Sequence, residues 1–152
     1  GRCDAITSDA SQLAAIRANE TTNLDLYVIL PELISKEPLS PAVRQGDDQW
    51  TDIVRWSLFA MIAAEEKGLS SRNVDQMLGS SDPEIKRLLG VTPGNGKSLG
   101  LDEKWAYSII RQVGNYGESF ERNVGKGSKL KINRGLNSLF DHGGLMYSPP
   151  MK

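Results

Sequence analysis

Strand-forming sequence is confined to the front of this chain, and everything after it offers only helices. "RCDAITS" (residues 2–8) sets apolar and β-branched residues between Gly1 and Asp9-Ala10-Ser11, as a short strand does. "LYVILP" (26–31) is a continuous apolar run stopped by Pro31, the pattern of a strand buried on both faces. In "ELISKEPLSPAVRQGDD" (32–48), Pro38 and Pro41 impose extended geometry, which predicts a stiff connector between two bodies rather than a helix or a central strand. Two or three strands cannot form an independent sheet. The expectation is an α/β chain, few strands followed by mostly helices, that forms the back end of something larger.

Between the first two strands, Asp9 is followed three residues later by Gln12, a capping-box pattern that opens the helix "ASQLAAIRA". From Asp47 the periodicity turns helical. Trp50, Ile53, Val54, Leu58, Met61 and Ile62 follow i, i+3, i+4 spacing, and Gly68 is placed to end the helix. Ser70 or Ser71 can start "RNVDQML". Asp82-Pro83 reads as N-cap and first helical position before "EIKRLLG", with Gly90 as the stop. "VTPGNGKSLG" reads as a loop. A last helical region begins near Leu101, carries Trp105, Ile109, Val113, Tyr116, Phe120 and Val124, and should break at "GNYG". "RGLNSLF" is a short helix before a Gly- and Pro-rich tail.

The bulk properties exclude more than they assign. At 152 residues, with 39% hydrophobic and 24% charged residues, the chain suits one ordinary domain. A formal net charge of −1 supplies no broad attraction to nucleic acid or acidic membrane. The longest apolar run, "WSLFAMIAA", is about half of the roughly 20 residues a membrane helix needs. Without an initiating Met or a signal peptide, the chain is expected to be a processed product, a cloned piece or a fragment. Cys3 stands alone. In a cytosolic setting it reads as an inert thiol, and in a secreted one as half of a pair whose partner lies elsewhere.

Several chemical motifs fail on inspection. "GVTPGNGKSLG" ends like a phosphate-binding loop, but Val91 stands where the leading Gly is required, and a helix precedes it where a strand is needed. His142 is the only histidine, which leaves no metal set and points to a surface loop. No "GxSxG" elbow presents a nucleophilic serine. Trp50, Trp56, Trp105, Tyr107 and Phe120 sit at helical spacing without a basic stripe, so core packing is favoured over base stacking. Glu65-Glu66 reads as a solvated helix end. Asp9 differs, because ligands of open α/β sheets bind beyond the carboxyl ends of strands, where Asp9 stands. Locally it is a helix cap, yet a carboxylate can cap with one oxygen and meet a cation with the other.

"GRCDAITSDASQLAAIRA", "VILPELISKEPLSPAVRQGDDQWTDIVRW", "VGNYGESFERNVGKGS" and "RGLNSLFDHGGLMYSPP" together resemble the C-terminal part of periplasmic amino-acid-binding proteins of ABC importers (solute-binding protein family 3). Within that group the chain is most similar to the general L-amino-acid and glutamate, glutamine, aspartate, asparagine receptors. The resemblance implies a two-lobed, type II-like periplasmic binding protein. Residues 1–34 would end lobe two, 35–45 would form the hinge crossover strand, and 46–152 would complete lobe one with a C-terminal extension. It implies a non-enzymatic solute receptor in the periplasm of a Gram-negative bacterium, needing no cofactor. Its partners would be an L-amino acid, the permease subunits and the missing N-terminal portion, with no nucleic acid. For the site, it implies Asp9 as the partner of the ligand's α-ammonium, with Ser8 and, more weakly, Thr7 facing the ligand. Relatives would supply a second lobe-two cysteine upstream to pair with Cys3. The rival readings are a stand-alone helical interaction module over residues 45–152, a sensory ligand-binding domain of the same fold, and a small hydrolase or nucleotide-binding enzyme.

Overall fold

The computed structural model describes residues 3–20, 22–36 and 38–151, and its regular elements are helices. They are α1 (Ala10–Glu20), α2 (Asp48–Glu66), α3 (Val74–Met77), α4 (Pro83–Leu88), α5 (Asn95–Leu99), α6 (Trp105–Val113) and α7 (Tyr116–Asn123), with short 3-10 turns at Leu24–Leu26, Gly135–Asn137 and Phe140–His142. The chain divides into two compact units, Gly1–Ser40 with Glu121–Asn133, and Pro41–Phe120 with Arg134–Lys152.

The second unit is built around α2. Asp47 starts that helix by accepting from the Trp50 N–H at 3.0 Å, satisfying a donor the first turn leaves unpaired. Its apolar stripe meets α6, and α4 and α5 also pack on it, while α3 packs on α6. Ala60 and Ala64 are wholly buried on α2, small enough to let neighbouring helices approach closely. They join Leu69, Val74, Ile85, Leu88, Leu89, Trp105, Ala106 and Ile110 in one cluster. Burying each Leu or Ile in this set stabilises the unit by about 1.5–3 kcal/mol. Asp82 caps α4 through Glu84 N–H at 2.7 Å, with Pro83 in the first turn, as its sequence predicts. The anticipated break at "GNYG" is present: α6 stops at Val113, Gly114 takes φ +93°, and α7 begins at Tyr116.

Three local expectations in this unit shift. The helix expected from Ser70 or Ser71 begins only at Val74, because Asn73 uses its side chain to bridge Ser70 N–H and the Gly68 carbonyl across the turn. The stretch read as a loop contains α5. Trp50 is exposed at the start of α2 rather than part of the core, whereas Trp105 is buried and Trp56 packs against the core.

In the first unit α1 forms as expected, with Ala14 buried. The strands do not. Among the described residues the one β-type pairing is an isolated bridge between Leu139 and Met146, in the second unit. Residues 3–8 and 27–36 have no regular secondary structure, and the expected "RCDAITS" strand also begins on Arg2, outside the described residues. The crossover stretch is likewise irregular, and Glu37 within it is outside the described residues. A strand exists only by sharing hydrogen bonds with a neighbour, and among the described residues none of these segments has one. The apolar run meant for burial on two faces therefore stays open, with Leu26 73%, Val28 79% and Leu30 70% exposed.

Candidate functional site

Local sequence builds the predicted site around the start of α1. The helix begins at Ala10, so Asp9 occupies the capping position, and its carbonyl accepts the Leu13 N–H at 2.9 Å. Gln12, at the third helical position, turns its side-chain oxygen to the Ser8 hydroxyl. Thr7 and Ser8 are exposed and Asp9 is partly buried. No acidic residue lies within the first turn of α1 itself, so Asp9 is the carboxylate at this helix end. Thr7, Ser8 and Asp9 thus stand in succession at the entry to α1, with the Ser8 hydroxyl turned to Gln12.

The second unit holds the best-organised polar groups, and they serve packing. Glu65 and Arg134 form a fork-to-fork pair at 2.8 and 3.2 Å, with side chains only 18% and 17% exposed. Arg134 also donates to the Asn137 carbonyl and lies over the Tyr116 and Phe120 rings. Glu66 accepts from the Ser148 N–H at 3.1 Å. Glu65-Glu66 is therefore not a solvated helix end. The signal was present in the sequence: Glu65 falls three residues after the core residue Ile62, on the buried stripe, where a carboxylate requires a cation.

A second cluster ties the turn after α2 to the α6–α7 junction. Glu118 accepts from the Ser71 hydroxyl at 2.7 Å, the Ser71 N–H at 3.0 Å and the Asn115 N–H at 2.9 Å. The buried Asn115 donates to the Leu69 carbonyl and accepts from the Glu118 N–H. Burial pushes the Glu118 carboxyl up, but these donors, with Arg72 nearby, outweigh it and hold the group below the ordinary glutamate value. Every strong acceptor here already has its donor.

Leu58, Phe59, Ile62, Leu145, Met146, Tyr147 and Pro149 line an open cavity of about 260 Å³. It carries no charged lining residue, so it could not compensate the two charges of a free amino acid. His142 is a surface residue beside Asp141, as the sequence suggested. Cys3 is an exposed free thiol. Among the described residues no group of His, Cys, Asp and Glu could hold a metal ion, and no helix is long and apolar enough to cross a membrane.

No protein-family model matches the chain. Over its whole length it is 55% identical to a general L-amino acid-binding periplasmic protein, AapJ, of Rhizobium johnstonii, and 50% identical to a glutamate/glutamine/aspartate/asparagine-binding protein, BztA, of Rhodobacter capsulatus. In each case it covers 45% of the relative, so the chain spans about half the length of the curated relatives it matches. Among solved structures, an ABC transporter periplasmic binding protein from Brucella ovis with glutathione bound is 53% identical and superposes with a TM-score of 0.91, over 99% of this chain and 47% of that one. Sequence and structure agree that the chain is a homologue, across its full length, of part of the amino-acid-binding proteins of ABC transporters.

Proposed function

We propose that this chain forms part of an extracytoplasmic receptor that binds an L-amino acid reversibly and delivers it to the permease of an ABC importer. The observation that carries this reading is identity of 50–55% along the whole chain with relatives named for amino-acid binding. AapJ and BztA are named as binding proteins and the Brucella ovis neighbour as an ABC transporter periplasmic binding protein, which supports a binding role without catalysis and a periplasmic location. In this reading residues 1–34 end lobe two, 35–45 cross between lobes, and 46–152 complete lobe one with an extension. The boundary between the compact units at Ser40 and Pro41 falls inside the proposed crossover, which supports the division. The grouping of Glu121–Asn133 with the first unit is not explained by it.

Asp9 is the proposed anchor for the ligand's α-ammonium, with Ser8, and to a lesser degree Thr7, beside it. Support comes from its place at the entry to α1 and its partial exposure. An ammonium–carboxylate contact is charge-assisted, and strengthens when closing lobes exclude water. The glutathione on the Brucella ovis neighbour favours one extension of this reading. Glutathione ends in a γ-linked glutamyl group with a free α-ammonium and α-carboxylate, so the same anchor can serve an amino acid or a γ-glutamyl peptide. Calorimetry on a receptor that joins residues 1–152 to the complementary portion of its relatives tests both, with glutamate, glutamine, aspartate, asparagine and glutathione as titrants. Saturable binding of at least one, weakened by Asp9→Asn, is the expected result. A folded receptor that binds none of the five would refute the proposal.

A further inference from the structure

The "GVTPGNGKSLG" stretch lacks the frame of a phosphate loop, yet its backbone donors still converge on an anion. The Gly94 and Gly96 N–H groups donate to one oxygen of the Glu103 carboxylate, at 2.8 and 3.1 Å, and the Lys97 N–H donates to the other at 3.2 Å. The loop is wound tightly against the backbone that carries this side chain. Gly96 is buried, and a Cβ on it would stand 2.6 Å from the Asp102 carbonyl oxygen. A Cβ on Gly90 would stand 2.0 Å from the Glu103 carbonyl oxygen. The Leu101 N–H returns to the Gly96 carbonyl at 2.9 Å and closes the turn. Core residues flank the whole segment: Leu88 and Leu89 before it, Trp105 and Ala106 after it. A single carboxylate therefore joins the first turn of α5 to the entry of α6.

We propose that Glu103 is the resident anion of this segment: ionised, it clasps residues 94–97 against the start of α6, and protonated, it releases them. The reason is the difference between acceptors. A carboxylate holds N–H donors by charge-assisted bonds, about twice as strong as those to a neutral acid, and a protonated oxygen presents a fourth donor to three others. Lys97 of α5 adds attraction to the ionised form, Asp102 and Lys104 flank the residue in the chain, and the neighbour from α2 is the uncharged Gln49, which meets the Leu99 carbonyl at 3.4 Å. The Gly94 N–H, followed by those of Gly96 and Lys97, holds the Glu103 carboxyl below its ordinary value against a smaller opposing effect of burial. The clasp is accordingly complete at neutral pH, and it opens only as pH falls below the ordinary glutamate range through that lowered value.

The test is a pH titration of the ¹⁵N-labelled 152-residue chain by NMR, reading amide shifts and hydrogen-exchange protection, beside Glu103→Gln. In the parent, the Gly94, Gly96 and Lys97 amides should titrate together with one midpoint below the ordinary glutamate value. Their protection should fall about tenfold or more across it, while Ala60 and Ala64 on α2 keep theirs. In Glu103→Gln the same three amides should show the low protection already at neutral pH, with no step. The proposal is overturned if the parent's three amides keep their protection throughout. It is equally overturned if Glu103→Gln protects them as the parent does, or if Ala60 and Ala64 lose protection in the same step, since Glu103 would then support the fold as a whole.

Discussion

Replacing Arg134 by Met should be the most costly single polar substitution in the second unit, and its size follows from the geometry. The change keeps an apolar stem beneath Tyr116 and Phe120 but strands the Glu65 carboxylate, whose side chain is 18% exposed. Removing one partner of a fully buried pair costs about 3–5 kcal/mol, and of an exposed pair about 0–1 kcal/mol. With both members less than one-fifth exposed, the stranded charge should cost about 2 kcal/mol. The lost donations to the Asn137 carbonyl and the lost cation–ring contacts add roughly 1 kcal/mol. A total near 3 kcal/mol, with a urea m-value of about 2 kcal/mol/M, moves the unfolding midpoint down by about 1.5 M. Tryptophan fluorescence reads this transition, because Trp105 lies in the same core. Glu65→Gln leaves Arg134 its carbonyl and its rings, so it should cost less, about 1–2 kcal/mol. The double variant should recover roughly 1–3 kcal/mol relative to the sum of the two. Arg134→Lys should fall between parent and Met, since an ammonium cannot form the two-pronged contact. If Arg134→Met unfolds within about 0.3 M of the parent, or if the two losses simply add, the pair does not hold the tail on α2 and the argument fails.

Two glycine substitutions should separate backbone strain from lack of space. Gly68→Ala, at φ +66° with nothing within 4 Å, should cost about 1–2 kcal/mol in thermal or urea unfolding. Gly90→Ala has a similar φ of +71° but drives its methyl into the Glu103 carbonyl, and should cost about 3 kcal/mol or more; equal losses at the two sites would contradict the close approach. The lowered Glu118 carboxyl sets a sign for pH dependence. Its contribution is full above the ordinary glutamate value of 4.5 and is lost as pH falls below it through the folded-state value, so urea midpoints should drop more steeply there for the parent than for Glu118→Gln, and parallel curves would refute the assignment. In the completed receptor, Asp9→Ala should weaken ligand binding by about 30- to several thousand-fold, the equivalent of roughly 2–5 kcal/mol. Asp9→Asn should keep the start of α1, since Asn caps about as well as Asp, yet still lose much of the affinity; unchanged binding would make Asp9 a helix cap alone.

Helices whose signals are local are legible in the sequence. Asp47 caps α2, Asp82-Pro83 opens α4, and Gly114 separates α6 from α7, because each signal acts within a turn or two of its own position. The start of α1 was legible for the same reason: the helix begins at Ala10, directly after Asp9, whose carbonyl accepts the Leu13 N–H. What acts across the chain was not legible. Glu65 finds Arg134 sixty-nine positions away, and Glu118 finds Ser71 forty-seven positions away, through packing that no window of sequence contains. Glu103 gathers the N–H groups of Gly94, Gly96 and Lys97 only because the backbone turns back on itself between α4 and α6. The strand pattern of residues 26–31 shows the opposite limit. A continuous apolar run with β-branched Val28 and Ile29 expresses a preference for a sheet, but a sheet is made of hydrogen bonds between segments, and the tertiary structure leaves Val28 and Leu30 exposed because no strand among the described residues meets them.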